Sequence, residues 1–138
     1  GRWGHNSSFS EEQTLVPFVL WVPGRAPRKL DRMTSHLDLA ATLMPLLGVK
    51  NPPEDYSFGN DLYSDTNRKF TILTDWNHVA YVDDDHKVIF SAKGFGFSPP
   101  IVTTRDDAEV SDPAAFFTEH KAQIVEMLKS LKGFGYRK

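Results

Sequence analysis

The feature that most constrains this chain is the run Leu15-Val16-Pro17-Phe18-Val19-Leu20-Trp21-Val22, almost continuously apolar and enclosed by Thr14 and Pro23-Gly24. A strand with one wet face alternates apolar and polar residues, so an unbroken run predicts a strand buried on both faces, as in a parallel sheet. Pro17 cannot donate to a ladder and restricts the run to an early or edge position. After a loop at residues 25–32, Leu39-Ala40-Ala41-Thr42-Leu43-Met44-Pro45-Leu46-Leu47 carries apolar residues at helical spacing. Asp38 or Ser35 can serve as its N-cap and Gly48 as its C-cap, while Pro45 should distort the last turn. Strand, loop and helix make half of a βαβ unit, and the first half of the chain reads as α/β.

The pattern then changes. Residues 51–68 hold Pro52-Pro53, Gly59-Asn60 and several Asp with little periodicity, and read as a long surface loop or linker. We place a boundary near Asn67, giving an α/β portion at 1–66 and a second subdomain at 67–138. Residues 70–74, 79–82, 87–91 and 101–104 are short, β-branched or aromatic runs that predict antiparallel strands, with Asp83-Asp84-Asp85 at a hairpin tip. Asp112-Pro113 opens a helix with a good N-cap and proline at the first helical position. Phe117, His120, Ile124, Leu128 and Leu131 fall on one stripe, flanked by Phe116 and Met127, over about five turns. Gly133 can end that helix. A helix on a small antiparallel sheet is an α+β layer, distinct from the α/β piece before it.

Composition limits the chemistry. The 138 residues include 16 Lys and Arg against 18 Asp and Glu, a net charge of −2, so no overall basic character supports nucleic-acid binding. Hydrophobic residues make up 40%, enough for a packed core rather than disorder. With no cysteine, the segment cannot hold a disulfide, a thiolate zinc site or a cysteine nucleophile. The run at 15–22 is less than half of the roughly 20 residues that span a bilayer. The chain opens on Gly1-Arg2-Trp3-Gly4-His5 with no signal-type segment, and we expect it to be a piece of something longer.

Few residues stand out as chemical. His5 lies in a loop rich in hydroxyls and acids just before the 15–22 run, where open α/β sheets place ligands, although on residue type alone it reads as a solvated histidine. Ser7, Ser8 and Ser10 have no visible base and orienter, and Asn6-Ser7-Ser8 forms a glycosylation sequon. Asp83-Asp84-Asp85-His86 could suggest a metal site, but consecutive turn residues point in different directions, and a solvated tip is the better reading. Arg25, Arg28, Lys29 and Arg32 read as a solvated basic face that could also hold an anionic headgroup or substrate. Lys93-Gly94-Phe95-Gly96-Phe97 and Lys132-Gly133-Phe134-Gly135-Tyr136 are similar, but too short to define a repeat architecture and read as turns or caps.

Two blocks carry a family resemblance. Trp3-Gly4-His5-Asn6-Ser7-Ser8-Phe9-Ser10-Glu11-Glu12 followed by Val16-Pro17-Phe18-Val19-Leu20-Trp21-Val22-Pro23-Gly24 resembles the late part of sulfatase catalytic domains. Thr34-Ser35-His36-Leu37-Asp38-Leu39-Ala40-Ala41-Thr42-Leu43, with Leu46-Leu47-Gly48-Val49, is similar to that family's Asp-Leu-x-x-Thr-Leu helix ending in Leu-Gly-Val. The resemblance implies the end of an alkaline-phosphatase-type α/β domain with a small C-terminal antiparallel subdomain. It implies a divalent metal and a nucleophile elsewhere in the full-length protein, neither expected in this segment, with His5 as a contact to the anionic group of a sulfate or phosphate ester. It is nearest to membrane-anchored members at the periplasmic face of the bacterial inner membrane, and so implies an alternative: a non-catalytic lipid-binding or regulatory module in outer-membrane lipid (lipopolysaccharide or cardiolipin) homeostasis. The expected partners are the remainder of the parent sulfatase-like domain, anionic lipid and an inner-membrane regulatory protein.

Overall fold

A computed structural model of the chain describes residues 8–92 and 99–135. His5, Asn6, Ser7, the 93–97 motif and Tyr136 lie outside the described residues. Four strands, β1 (Thr71–Thr74), β2 (His78–Val82), β3 (His86–Ser91) and β4 (Ile101–Thr104), form one sheet in the order β1-β2-β3-β4. They match the predicted runs to within a residue, because each is a short β-branched or aromatic stretch between polar turns. The register opposes Ala80 with Ile89 and Val82 with Lys87 across β2 and β3, then Ile89 with Ile101 and Lys87 with Thr103 across β3 and β4.

Alternation along these strands separates two faces. One carries Ala80 and Val82, packed with Phe9, Leu73 and Ile89. The other carries Val88 and Phe90. There, the His86 ring lies 4.7 Å from that of Phe116, and Phe90 meets Phe117 edge-on at 6.2 Å. Both phenylalanines belong to the first turns of helix α3 (Pro113–Gly135). The middle of the sheet is therefore packed on both faces, by the Phe9 segment and by the start of α3, in keeping with the buried residues at consecutive positions of β2.

Asp112 caps α3 as expected, its carboxylate accepting from the Ala115 N–H at 2.9 Å. Two details differ from the sequence reading. The most buried positions are Ile124, which the sequence places on the stripe, and Phe116 and Met127, which it places at the flank. The helix also runs through Gly133 to Gly135, a glycine inside a helix costing only about 1 kcal/mol.

The second helix of the chain, α2 (Leu37–Leu46), keeps Pro45 inside its last turn and closes in a Schellman motif. The Val49 N–H bonds the Met44 carbonyl (3.0 Å), the Gly48 N–H bonds the Pro45 carbonyl (3.0 Å), and Gly48 takes φ 90°. At the other end the N-cap position is His36 rather than Asp38 or Ser35, and the two proposed residues bond on either side of it. Ser35 Oγ accepts from the Leu37 N–H at 3.3 Å, and the Asp38 carboxylate reaches back to the Ser35 N–H at 2.8 Å.

Residues 51–68 are not a free linker. Thr42 Oγ1 accepts from the Leu62 N–H (2.9 Å), Asp38 accepts from the Asn60 N–H (2.8 Å) and from Arg68, and Ser57 Oγ donates to the Leu37 carbonyl (2.6 Å). Buried acceptors on α2 thus satisfy loop N–H groups that periodicity alone cannot place. Gly59 runs against the Leu37 carbonyl so closely that a Cβ there would collide with backbone.

The chain divides into two compact units, Gly1–Asp31 with Ile72–Glu119 and Arg32–Thr71 with His120–Lys138. The largest departure from expectation is at 15–22. A four-residue helix, α1 (Glu11–Thr14), precedes it, but the run itself joins no strand and is largely exposed, with Val19 at 91% and Trp21 at 80%. A strand apolar on both faces needs neighbours on both sides, and the four-stranded sheet does not include it. Among the described residues, no helix is long and apolar enough to cross a membrane.

Candidate functional site

The segment that follows His5 is held by dense local bonding. Ser8 Oγ donates to Ser10 Oγ (2.9 Å) and accepts from the Ser10 N–H (3.2 Å), and the Ser10 carbonyl accepts from Gln13 and Thr14 at the start of α1. These bonds are those of a turn and a helix start, and they give Ser8 and Ser10 structural work. His5 itself lies outside the described residues.

The sheet grips this segment from below. Lys87, only 1% exposed, donates from Nζ to the Phe9 carbonyl (3.2 Å) and to the Asp107 carboxylate (2.6 Å). Asp107 sits at φ 65°, a left-handed conformation that Asp tolerates, and this turn brings its carboxylate to the ammonium. Arg105 pairs with Glu11 at 2.6 Å and donates to the Asp83 carbonyl at 2.9 Å. Sequence reasoning missed all four of these side chains. A lysine opening a strand ordinarily reads as exposed, and only a carbonyl and a carboxylate meeting it in space make its burial tolerable.

Two Asp-x-x-His turns close successive hairpins of the sheet. Asp75 Oδ1 accepts from the N–H groups of Asn77 (2.7 Å) and His78 (2.6 Å), and its carboxylate meets His78 Nδ1 at 3.0 Å. Asp83 Oδ1 accepts from the N–H groups of Asp85 (3.0 Å) and His86 (2.7 Å) in the same way. The eight-residue spacing of the two Asp-x-x-His strings was the available signal for equivalent turns. Burial raises the Asp75 pKa, but the Asn77 N–H and the His78 ring and N–H outweigh it, and the net shift is downward. Tyr81, buried beside Asp83, is pushed well above the usual phenol range, first by desolvation and then by that carboxylate.

The four basic residues differ in their surroundings. Arg32 donates to the carbonyls of Thr66 (2.6 Å) and Leu62 (3.0 Å), anchoring the 51–68 loop. Lys29 pairs with Asp31 at 2.6 Å in full solvent exposure, a contact worth little to stability. Arg25 and Arg28 are exposed. Among the described residues, no group of three or more His, Asp or Glu side chains is placed to hold a metal ion. The described donors therefore do not fit the divalent metal that the sulfatase resemblance implies.

Comparison with known proteins bears on the segment built around this loop. Residues 1–49 match the Sulfatase family model. A stretch of 57 residues is 35% identical to the inner membrane protein YejM of Salmonella typhimurium LT2, covering 41% of this chain and 10% of the relative, and to YejM of Salmonella typhi to the same extent. The matched stretch spans about a tenth of the length of those curated relatives.

Proposed function

We propose that this chain, sulfatase-like over its first 49 residues, is the C-terminal portion of a hydrolase domain acting on sulfate or phosphate esters, anchored at the periplasmic face of a bacterial inner membrane. The observation that carries this reading is the exposed run at 15–22, which lies inside the family match and has the composition of a strand covered on both faces. Its natural partner is the remainder of the parent domain, whose sheet supplies the missing neighbours. In the full-length protein His5 contacts the anionic group of the ester, and the segment behind it is fixed by Phe9, Lys87 and Arg105. In this reading the metal ligands and the nucleophile lie in the remainder of the parent domain, so the 138 residues alone should be inactive; among the described residues no group of three or more His, Asp or Glu is placed to hold a metal ion.

Hydrolysis of aryl sulfate and aryl phosphate by the full-length protein tests this. His5→Ala should lower the rate by about a hundredfold, the scale of losing one positioned contact to a developing charge. An unchanged rate removes His5 from the site, and metal-dependent hydrolysis by the 138-residue chain alone refutes its inactivity.

The exposed Arg25, Arg28 and Lys29 favour a second reading, as does the description of the relatives as inner membrane proteins. In that reading the parent binds anionic lipid, such as lipopolysaccharide or cardiolipin, and an inner-membrane regulatory protein without catalysing. Binding to anionic vesicles would then weaken with salt and with charge reversal at Arg25, Arg28, Lys29 and Arg32.

A further inference from the structure

A cleft of about 720 Å³ lies on the Phe9 face of the sheet, bordered by the 8–13 segment, the β1–β2 turn and strands β3 and β4. That volume is within the range of small-molecule sites. Its lining excludes several ligand classes in turn. Glu12, Asp75 and Asp107 face it and no Lys or Arg does, so a phosphate or sulfate would be repelled. The negative charge is nevertheless mostly spoken for: Asp107 is countered by Lys87 and Asp75 by its three N–H donors. Little uncompensated charge is left to hold a cation. An alkyl chain would strip water from Asp75 and His78 without replacing their hydrogen bonds.

What remains suits a neutral, polyhydroxylated ring. Ile89 and Ile101 are cross-strand partners on this face and form a branched aliphatic platform for the C–H face of such a ring. Around them stand the Asp75 carboxylate and the half-exposed carboxylate of Asp107, each an acceptor for adjacent hydroxyls. The imidazole of His78 keeps Nε2 available because Nδ1 is held by Asp75. The Ser10 hydroxyl borders the same space, and Thr103 Oγ1 is buried there with no hydrogen-bond partner. The Asp75–His78 pair is fixed before any ligand arrives, so binding needs little reorganisation.

We infer that this cleft is a binding site for a neutral sugar ring. The ring lies on Ile89 and Ile101 and its hydroxyls bond Asp75, His78 and Asp107.

The test uses the full-length protein with the methyl α-pyranosides of glucose, mannose and galactose, followed by saturation-transfer NMR and by the His78 ring resonances. Glucose 6-phosphate, glucosamine and cyclohexanol serve as anionic, cationic and apolar counterparts. At least one methyl pyranoside should saturate in the millimolar range typical of a single small ring and shift His78. Asp75→Asn, which keeps an oxygen for the turn, and Ile101→Ser, at an exposed position, should each weaken it by about fivefold or more. Thermal unfolding confirms that both variants fold. The inference is overturned if none of the three pyranosides saturates, if the phosphate, amine or apolar probe binds as tightly, or if binding survives both substitutions. None of these results depends on hydrolytic activity.

Discussion

Lys87 carries a full charge inside a strand, and its two partners differ in what their loss would cost. Asp107 is half exposed, whereas the ammonium is buried, so the expensive event is stranding the ammonium. Asp107→Asn, which keeps a residue tolerant of φ 65°, should destabilise the chain by about 3 kcal/mol. Lys87→Met, which leaves Asp107 to solvent and only the Phe9 carbonyl unbonded, should cost about 1–2 kcal/mol. Urea unfolding of the two variants gives the order. Asp75 supplies a pH dependence of definite sign. Its folded pKa lies below the ordinary aspartate value, so its stabilisation is complete above that value and is lost as the pH falls through the lowered one. The protection of the Asn77 and His78 amides against hydrogen exchange, taken relative to their intrinsic rates, should therefore fall in acid, and Asp75→Asn should flatten that dependence. The Lys87 cluster does not follow from residue type, because it depends on a carbonyl and a carboxylate brought in from elsewhere in the chain, whereas the Asp75 turn is local and its Asp-x-x-His string was the signal for it.

At the scale of elements, the four strands and α3 were legible in the sequence. Short β-branched runs between polar turns, and a sustained 3.6-residue period after Asp112-Pro113, each admit one reading. The 51–68 loop was not legible, because its order comes from Asp38 and Thr42 on α2 rather than from a pattern of its own. Two glycines in this unit should respond differently to substitution. Gly59→Ala places a methyl against the backbone of Leu37, which cannot yield, and should cost about 3 kcal/mol. Gly48→Ala meets open space and only the strain of φ 90°, for about 1 kcal/mol. Thermal unfolding of the pair separates steric from conformational cost. The run at 15–22 shows the limit of pattern reading: apolar composition states a demand for burial but not which chain meets it.

For the whole molecule, that unmet demand is the central fact. A segment inside the sulfatase match exposes Val19 and Trp21 almost fully, and the four-stranded sheet does not include it. If the run completes a larger sheet, Val19→Lys should leave the stability of the 138-residue chain within about 0.5 kcal/mol and prevent folding of the full-length protein. Trp21 reports on the same claim without perturbing it. In a background with every other tryptophan of each protein, Trp3 and Trp76 among them, changed to Phe, acrylamide quenching of Trp21 fluorescence can be compared between the 138-residue chain and the full-length protein. The expected result is ready quenching in the chain and quenching about tenfold weaker in the full-length protein, as for a tryptophan packed at protein density. Equal quenching in the two would contradict the assignment of this chain as the end of a larger sulfatase-like domain.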